Sequence, residues 1–253
     1  MRAKKQLGQH FLIDKSVILR IISNISDQCS SEIPLLEVGP GQGAITLDLL
    51  KDYPEFKAVE LDKDMIEILR LHLKPDQLIN MDILRLNMQE LFGGREFNLV
   101  GNFPYNISSQ IIFKIIENRH QIPVMIGMFQ KELAERICSS PGGKSNGILS
   151  LNAQAYYHAE ILFNIGPEAF DPPPKVESSV IIMKRKDDYQ LGCDDNLYRS
   201  VVKQAFSQRR KKMRNTLKSF DLDLESDIFQ KRPEQLGVDE FVNIVNSIKT
   251  KNT

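Results

Sequence analysis

The sequence predicts an α/β fold: a mostly parallel sheet, followed by a small all-helical C-terminal domain. Three observations carry that prediction. Short apolar runs alternate with helix-period segments between residues 33 and 184, as βαβ units require. The first apolar run ends in a glycine-rich turn, Gly39-Pro40-Gly41-Gln42-Gly43. Strand signals cease beyond about residue 187, where only helical periodicity continues.

Taken in order, Asp14 is placed to cap a helix whose Val17, Ile18, Ile21, Ile22 and Ile25 share one face. Residues 33–38 read as a buried strand, 44–50 as a helix, 57–61 as a second strand and 65–73 as another helix. Residues 78–81 and 97–101 give the third and fourth strands. Ser108 or Ser109 caps a helix carrying Ile111, Ile112, Ile115 and Ile116, and residues 124–129 form a fifth strand. A polar loop at 139–147 precedes a helix at 148–157. Strands at 158–165 and 176–184 flank the proline-rich residues 170–174. Residues 196–220 and 238–249 are helical, the latter with Phe241, Ile244, Val245 and Ile248 at helical spacing. The expected domains are therefore 1–186 and 187–253.

The 253 residues are 42% apolar, enough for a proper core. No apolar run approaches the roughly 20 residues needed to cross a bilayer. No signal-peptide core follows the basic Arg2, Lys4 and Lys5, so a cytoplasmic location is expected. Cys29, Cys138 and Cys193 lie far apart in no metal-binding spacing and read as reduced thiols, and no metal is expected. With 33 basic and 33 acidic residues the net charge is zero, which counts against a polyanionic partner. The distribution qualifies this, because positive charge gathers at the N-terminus and again at Arg209, Arg210, Lys211, Lys212 and Arg214. Either cluster is also what a solvated face looks like. No oligomer seam is visible, so a monomer is expected.

The glycine turn has a G-x-G-x-G spacing, one residue short of the G-x-G-x-x-G of dinucleotide sites unless Ala44 takes the last place. Glu60 ends the second strand roughly 20 residues past the first glycine, where an acid bonds ribose hydroxyls, although Asp62 and Asp64 compete for that role. Asp82 follows the third strand, where a carboxylate can accept from an adenine amino group. No P-loop lysine is present, so an adenosine-bearing cofactor without a pyrophosphate fits best, and S-adenosylmethionine is the candidate. The fourth strand stops at Asn102-Phe103-Pro104-Tyr105. Asn and Pro make this a plausible strand-terminating turn. It also combines an amide oxygen, a backbone carbonyl and an aromatic ring, which suit a planar base and its exocyclic amine.

GQHFL at residues 8–12, EVGPGQG, Glu60, Asp82, GNFPYNIS, FDPPPKVESS and AFSQRRKKMRNTL occur here in that order. Together they resemble ribosomal RNA adenine N6,N6-dimethyltransferases of the KsgA type over nearly the whole chain. The resemblance implies a Rossmann-like class I methyltransferase domain with an RNA- or ribosome-binding helical domain behind it. It implies cofactor contacts for Gln9, His10, Leu12, Gly39, Gly41, Glu60, Leu61, Asp82, Ile83 and Asn102. Methyl transfer would occur at Asn102 with Phe103 and Pro104, the target base lying between Tyr105 and Phe170 and walled by Pro172 to Pro174. Arg209, Arg210, Lys211, Lys212 and Arg214 would meet RNA. Many members carry Asn at the His10 position and Leu at that of Phe103. The implied substrate is a pair of adjacent adenines in a hairpin loop near the 3′ end of 16S rRNA within the 30S subunit or its precursor. A loop is the expected setting, because a stacked base cannot reach such a pocket. A large-subunit dimethylase of the macrolide-resistance type shares the catalytic core, but residues 206–215 resemble the small-subunit group. A ribosome-assembly factor without catalysis is the alternative from a different class. An assembly role alongside catalysis is also expected.

Overall fold

The computed structural model describes residue 4 and residues 8–248, so of the N-terminal basic group only Lys4 falls within the described residues. Two short strands, β1 (Phe11–Leu12) and β8 (Phe170–Asp171), pair antiparallel. They form a small sheet apart from the main one. The main sheet has seven strands: β2 (Leu35–Val38), β3 (Phe56–Glu60), β4 (Leu78–Asn80), β5 (Asn98–Asn102), β6 (Val124–Gln130), β7 (Tyr157–Ile165) and β9 (Ser178–Arg185). Their order is β4-β3-β2-β5-β6-β9-β7. Strands β2 to β6 pair in parallel, and β9 runs antiparallel to β6.

The parallel strands are apolar because helices cover both of their faces. Every residue of β2 is buried, as are the first four of β5. Asp14 caps α1 (Lys15–Gln28), its carboxylate accepting from the Ser16 (2.8 Å) and Val17 (3.2 Å) amides. Then come α2 (Thr46–Asp52), α3 (Lys63–Leu69) and α4 (Ser108–Glu117), the last burying Ile111, Ile112, Ile115 and Ile116. Helix α3 ends before the expected residue 73. The chain tightens into turns ahead of Lys74-Pro75, where proline drives the preceding residue out of the helical region. Helix α5 (Lys131–Ile137) has no counterpart among the expected elements.

Chain reversal positions the site. From β2 the chain builds β3 and β4 to one side, then returns to add β5 and β6 on the other. The carboxyl ends of β2, β3 and β5 therefore diverge at a topological switch point, where open α/β sheets bind ligands.

By contacts the chain forms two compact units. The first runs through Ala134 and resumes at Ala159–Arg185, holding the cavity described below. The second joins Glu135–His158 to the chain from Lys186 onward. The sequence reading put residues 135–158 in the first domain. In the structure α6 (Ile148–Tyr156) packs within the second unit, where the Leu151 carbonyl accepts from the buried Tyr198 hydroxyl (3.2 Å). The second unit also contains α7 (Asp195–Ala205), α8 (Met213–Thr216) and α9 (Val238–Asn246). Tyr198, Val201, Val202 and Ala205 form the buried stripe of α7. The continuous helix expected at 196–220 is broken after Ala205. Residues 207–212 offer no apolar side chain to bury, and their like charges repel at helical spacing.

Candidate active site

A cavity of about 570 Å³ opens at the switch point. Residues 8–13, 37–45, 59–61, 81–83, 101–107 and 126–128 line it. All ten residues with an implied cofactor contact are among them, as are Phe103, Pro104 and Tyr105.

One end is built by the glycine turn after β2. Gly39 has φ +68°, and a Cβ there would stand 3.2 Å from the Asn102 carbonyl oxygen. Gly41 has φ +56°, and its Cβ would stand 3.2 Å from the Phe11 ring. Any other residue at either position would be strained in backbone and crowded at its Cβ. Phe11 was missed by the sequence reading, although it sits inside the GQHFL motif. Glu60 accepts from the Gly41 amide (3.1 Å) with one oxygen and from the Asp62 amide (2.8 Å) with the other. Burial raises its pKa.

The nearby acids differ in their partners. Asp62 accepts from Lys4 Nζ (2.5 Å), Gln9 Nε2 (2.7 Å) and the Asp64 amide (3.0 Å), while Asp64 pairs with the same Lys4 (2.7 Å). Glu60 remains as the acid on the cavity wall. Gln9 lines the cavity too, but its amide is engaged at both ends, Oε1 accepting from the Lys4 amide (2.8 Å). Asp82 caps the turn at Ile83–Arg85 with one oxygen, 2.9 Å from the Leu84 amide. Leu61 and Met81 also line the cavity and expose 51% and 42% of their surface, apolar area open to a ligand.

Glu37 is the residue whose role the sequence reading overlooked, and a signal was there: a lone carboxylate in a run otherwise fit for a buried strand. It is 1% exposed, lines the cavity, and its Oε2 has no hydrogen-bond partner. Burial pushes its pKa from 4.5 up to about 8; the Thr46 hydroxyl offsets part of this and the Glu60 carboxylate adds to it. A buried carboxyl on the cavity wall with one oxygen unpartnered fits a ligand that offers that oxygen a polar partner.

Between 4.5 and about 8 the folded chain keeps a proton on Glu37 that the unfolded chain has released. Stability therefore falls as pH rises through that window and levels off above it. Glu37→Gln removes this slope. The variant's melting temperature, relative to the ligand-free parent, is expected to rise by several degrees between about pH 5 and about pH 8. A constant difference across that range would refute the buried proton.

The other end is the Asn102-Phe103-Pro104-Tyr105 turn. Asn102 Nδ2 donates to the His10 carbonyl (3.0 Å), which leaves Oδ1 as the acceptor end of the amide. The Phe103 ring is 1% exposed, lies against Gly127 and is tilted over Phe129 at 4.9 Å. The Pro104 carbonyl accepts from the Ser108 hydroxyl (2.9 Å), tying the turn to α4. The Tyr105 and Ser178 hydroxyls bond at 2.6 Å, and burial raises the Tyr105 pKa, so the ring stays a neutral phenol.

The resemblance implies that Phe170 flanks the target base. It is 2% exposed, belongs to the hydrophobic core and, like Pro172 to Pro174, does not line the cavity. Its pairing with Leu12 in the small sheet fixes it there. The basic residues Arg209, Arg210, Lys211 and Lys212 are exposed on the turn between α7 and α8, and Arg214 follows on α8. Arg209 donates to the Lys144 carbonyl, and the Lys211 amide closes the turn onto the Gln208 carbonyl at 2.8 Å.

The family model described as "Ribosomal RNA adenine dimethylase" matches residues 1–250. Over 254 residues the chain is 46% identical to the Ribosomal RNA small subunit methyltransferase A of Flavobacterium johnsoniae, covering 98% of this chain and 97% of that one. The protein of the same name from Bacteroides thetaiotaomicron is 47% identical over 257 residues, covering 98% and 95%. Among solved structures, a dimethyladenosine transferase from Plasmodium falciparum superposes with a TM-score of 0.77 at 23% identity, covering 93% of this chain and 96% of that one. The 23S rRNA methyltransferase ErmE gives 0.68 at 21%, covering 93% and 99%. These two likenesses are of fold. The family-model match over residues 1–250 and the identity of 46–47% over 98% of the chain show that the chain belongs to the ribosomal RNA adenine dimethylase family.

Proposed function

We propose that this protein uses S-adenosylmethionine to dimethylate the N6 amines of two adjacent adenines in a hairpin loop near the 3′ end of 16S rRNA, within the small ribosomal subunit or its precursor. The observation that carries this reading is Asn102. Its amide is locked by the His10 carbonyl with its acceptor end left over, beside a cavity whose lining acids outnumber its cations.

The bound cofactor supplies a methyl group made electrophilic by a sulfonium. Glu60 has lone pairs left for ribose hydroxyls and Asp82 for an adenine amine, and the unpartnered Oε2 of Glu37 is available to a polar group of the cofactor. Asn102 Oδ1 and the Phe103 carbonyl accept from the two hydrogens of the target amine. They stabilise positive charge as the nitrogen takes the methyl from the sulfonium sulfur, and the cationic nitrogen then loses one proton to solvent, so no strong base is needed to start the transfer. The Tyr105 ring provides a face for the base. The basic turn at Arg209–Lys212, with Arg214, meets RNA phosphates, the backbone contact that positions without reading sequence.

No helix among the described residues is long and apolar enough to cross a membrane, and no three-ligand metal cluster occurs among them. With tritium-labelled cofactor and purified unmethylated subunits, label is expected in N6,N6-dimethyladenosine of small-subunit RNA. Label confined to large-subunit RNA, or no transfer to either, would overturn the proposal.

A further inference from the structure

The Asp82 turn is held from outside the cavity as well as from within it. Asp82 Oδ1 accepts from the Leu84 amide at 2.9 Å, and the Arg85 amide returns to the Asp82 carbonyl at 2.9 Å. The carbonyl of the same Leu84 accepts from Lys114 Nζ at 3.0 Å. Lys114 stands in the last turn of α4, 30 residues further along the chain, and does not line the cavity. It is half-buried; burial lowers its pKa, and the Glu117 and Asp82 carboxylates oppose that shift. The first turn of α4 is fixed too, by the Ser108 hydroxyl donating to the Pro104 carbonyl at 2.9 Å. One helix therefore ties the Asn102–Tyr105 turn at its start and the Asp82 turn near its end, roughly 9 Å apart along its axis.

We infer that Lys114 is a positioning residue for base recognition in the cofactor: by holding the Leu84 carbonyl it fixes the angle at which Asp82 meets the adenine amine. This rests on the S-adenosylmethionine reading of the same site and deepens it. Adenine and its oxo counterpart hypoxanthine differ at this edge. The first offers an exocyclic amine, the second a carbonyl oxygen with a ring N–H beside it. A carboxylate only accepts, so at the amine's place it attracts adenine and repels the oxo form. A carboxylate free to swing could take the neighbouring ring N–H instead, and would bind both. Asp82 is denied that swing because Leu84 is pinned twice, its amide by Asp82 and its carbonyl by Lys114. A polar site rejects an analogue strongly only when its own groups are left unpaired by it, so the rejection depends on the turn staying put.

Calorimetric binding of S-adenosylhomocysteine and S-inosylhomocysteine to the full-length protein tests the assignment. The parent is expected to prefer the adenosyl form by at least about tenfold, the strength of one hydrogen bond to a charged group. Lys114→Met keeps the apolar stem and loses the ammonium. In it the preference should fall about fivefold, a coupling of the size found within one hydrogen-bonded network. Lys114→Arg keeps the charge and a donor and should retain most of the preference. A lower melting temperature in Lys114→Met with the preference unchanged would make Lys114 a residue of the fold alone and overturn the inference. Equal weakening of both ligands would do the same. A preference lost alike in both variants would assign the turn to packing of the stem, again against the inference. So would a parent that binds the two forms alike, whatever RNA it methylates. A parent that discriminates as expected but transfers no methyl would leave the role of Lys114 standing and sink the proposed function alone.

Discussion

Asn102→Ala is expected to lower methyl transfer by roughly 10²–10³-fold, the cost of deleting one group that stabilises charge developing in a transition state. The effect should fall on kcat, because the acceptor matters most as the amine nitrogen turns positive. The fold should survive. Asn102 ends β5 half-buried, and its strand pairing to Met128 uses backbone alone. Asn102→Asp sharpens the test. It keeps an acceptor, but sets an oxygen against the His10 carbonyl where Nδ2 now donates. The carboxylate is therefore pushed off its present angle, and an intermediate loss is expected. Single-turnover methylation of small subunits measures both variants. An Asn102→Ala protein that keeps more than about a tenth of the parent rate would remove Asn102 from the chemistry.

What the sequence made legible follows from how locally each feature is encoded. The glycine turn, Glu60 and Asp82 could be read because each sits at the end of its own strand, and a parallel sheet brings successive strand ends to one edge. Glu37 was equally readable, and was passed over because a carboxylate inside an apolar run was counted as part of the strand. The small sheet of β1 and β8, which carries Phe11 and Phe170, could not be read. It depends on a two-residue pairing, and no periodicity exists in two residues. The same limit hid residues 135–158. The apolar Leu149, Leu151, Ala153 and Ala155 of α6 would suit either unit, and only long-range contacts assign them. The basic turn was expected on a continuous helix because the periods on either side of it are both helical. Charge density alone marks the break.

Phe103 marks another such limit, since its ring packs against Gly127 and Phe129 on a different strand. The ring sits where a Cβ on Gly127 would be, 2.0 Å from Cε2 and 2.7 Å from Cδ2. It cannot retreat easily, because it is 1% exposed and packed on Phe129. Gly127→Ala should therefore cost about 1–3 kcal/mol from overpacking, visible as a lower melting temperature. It should also lower transfer by on the order of a hundredfold, since the displaced ring carries the Asn102 amide and the Phe103 carbonyl with it. Phe103→Leu alone leaves a modest void and should be nearly as active as the parent. In the double variant the smaller leucine makes room for the new methyl, and alanine is the better strand residue by about 0.5–1 kcal/mol. Both stability and rate should then recover to near the Phe103→Leu values, a coupling that independent sites would not show. Additive losses in the double variant would mean that the ring does not hold the turn. Recovery would mean that Gly127, which lines the cavity on β6 and carries no chemistry, sets the position of the acceptors from behind.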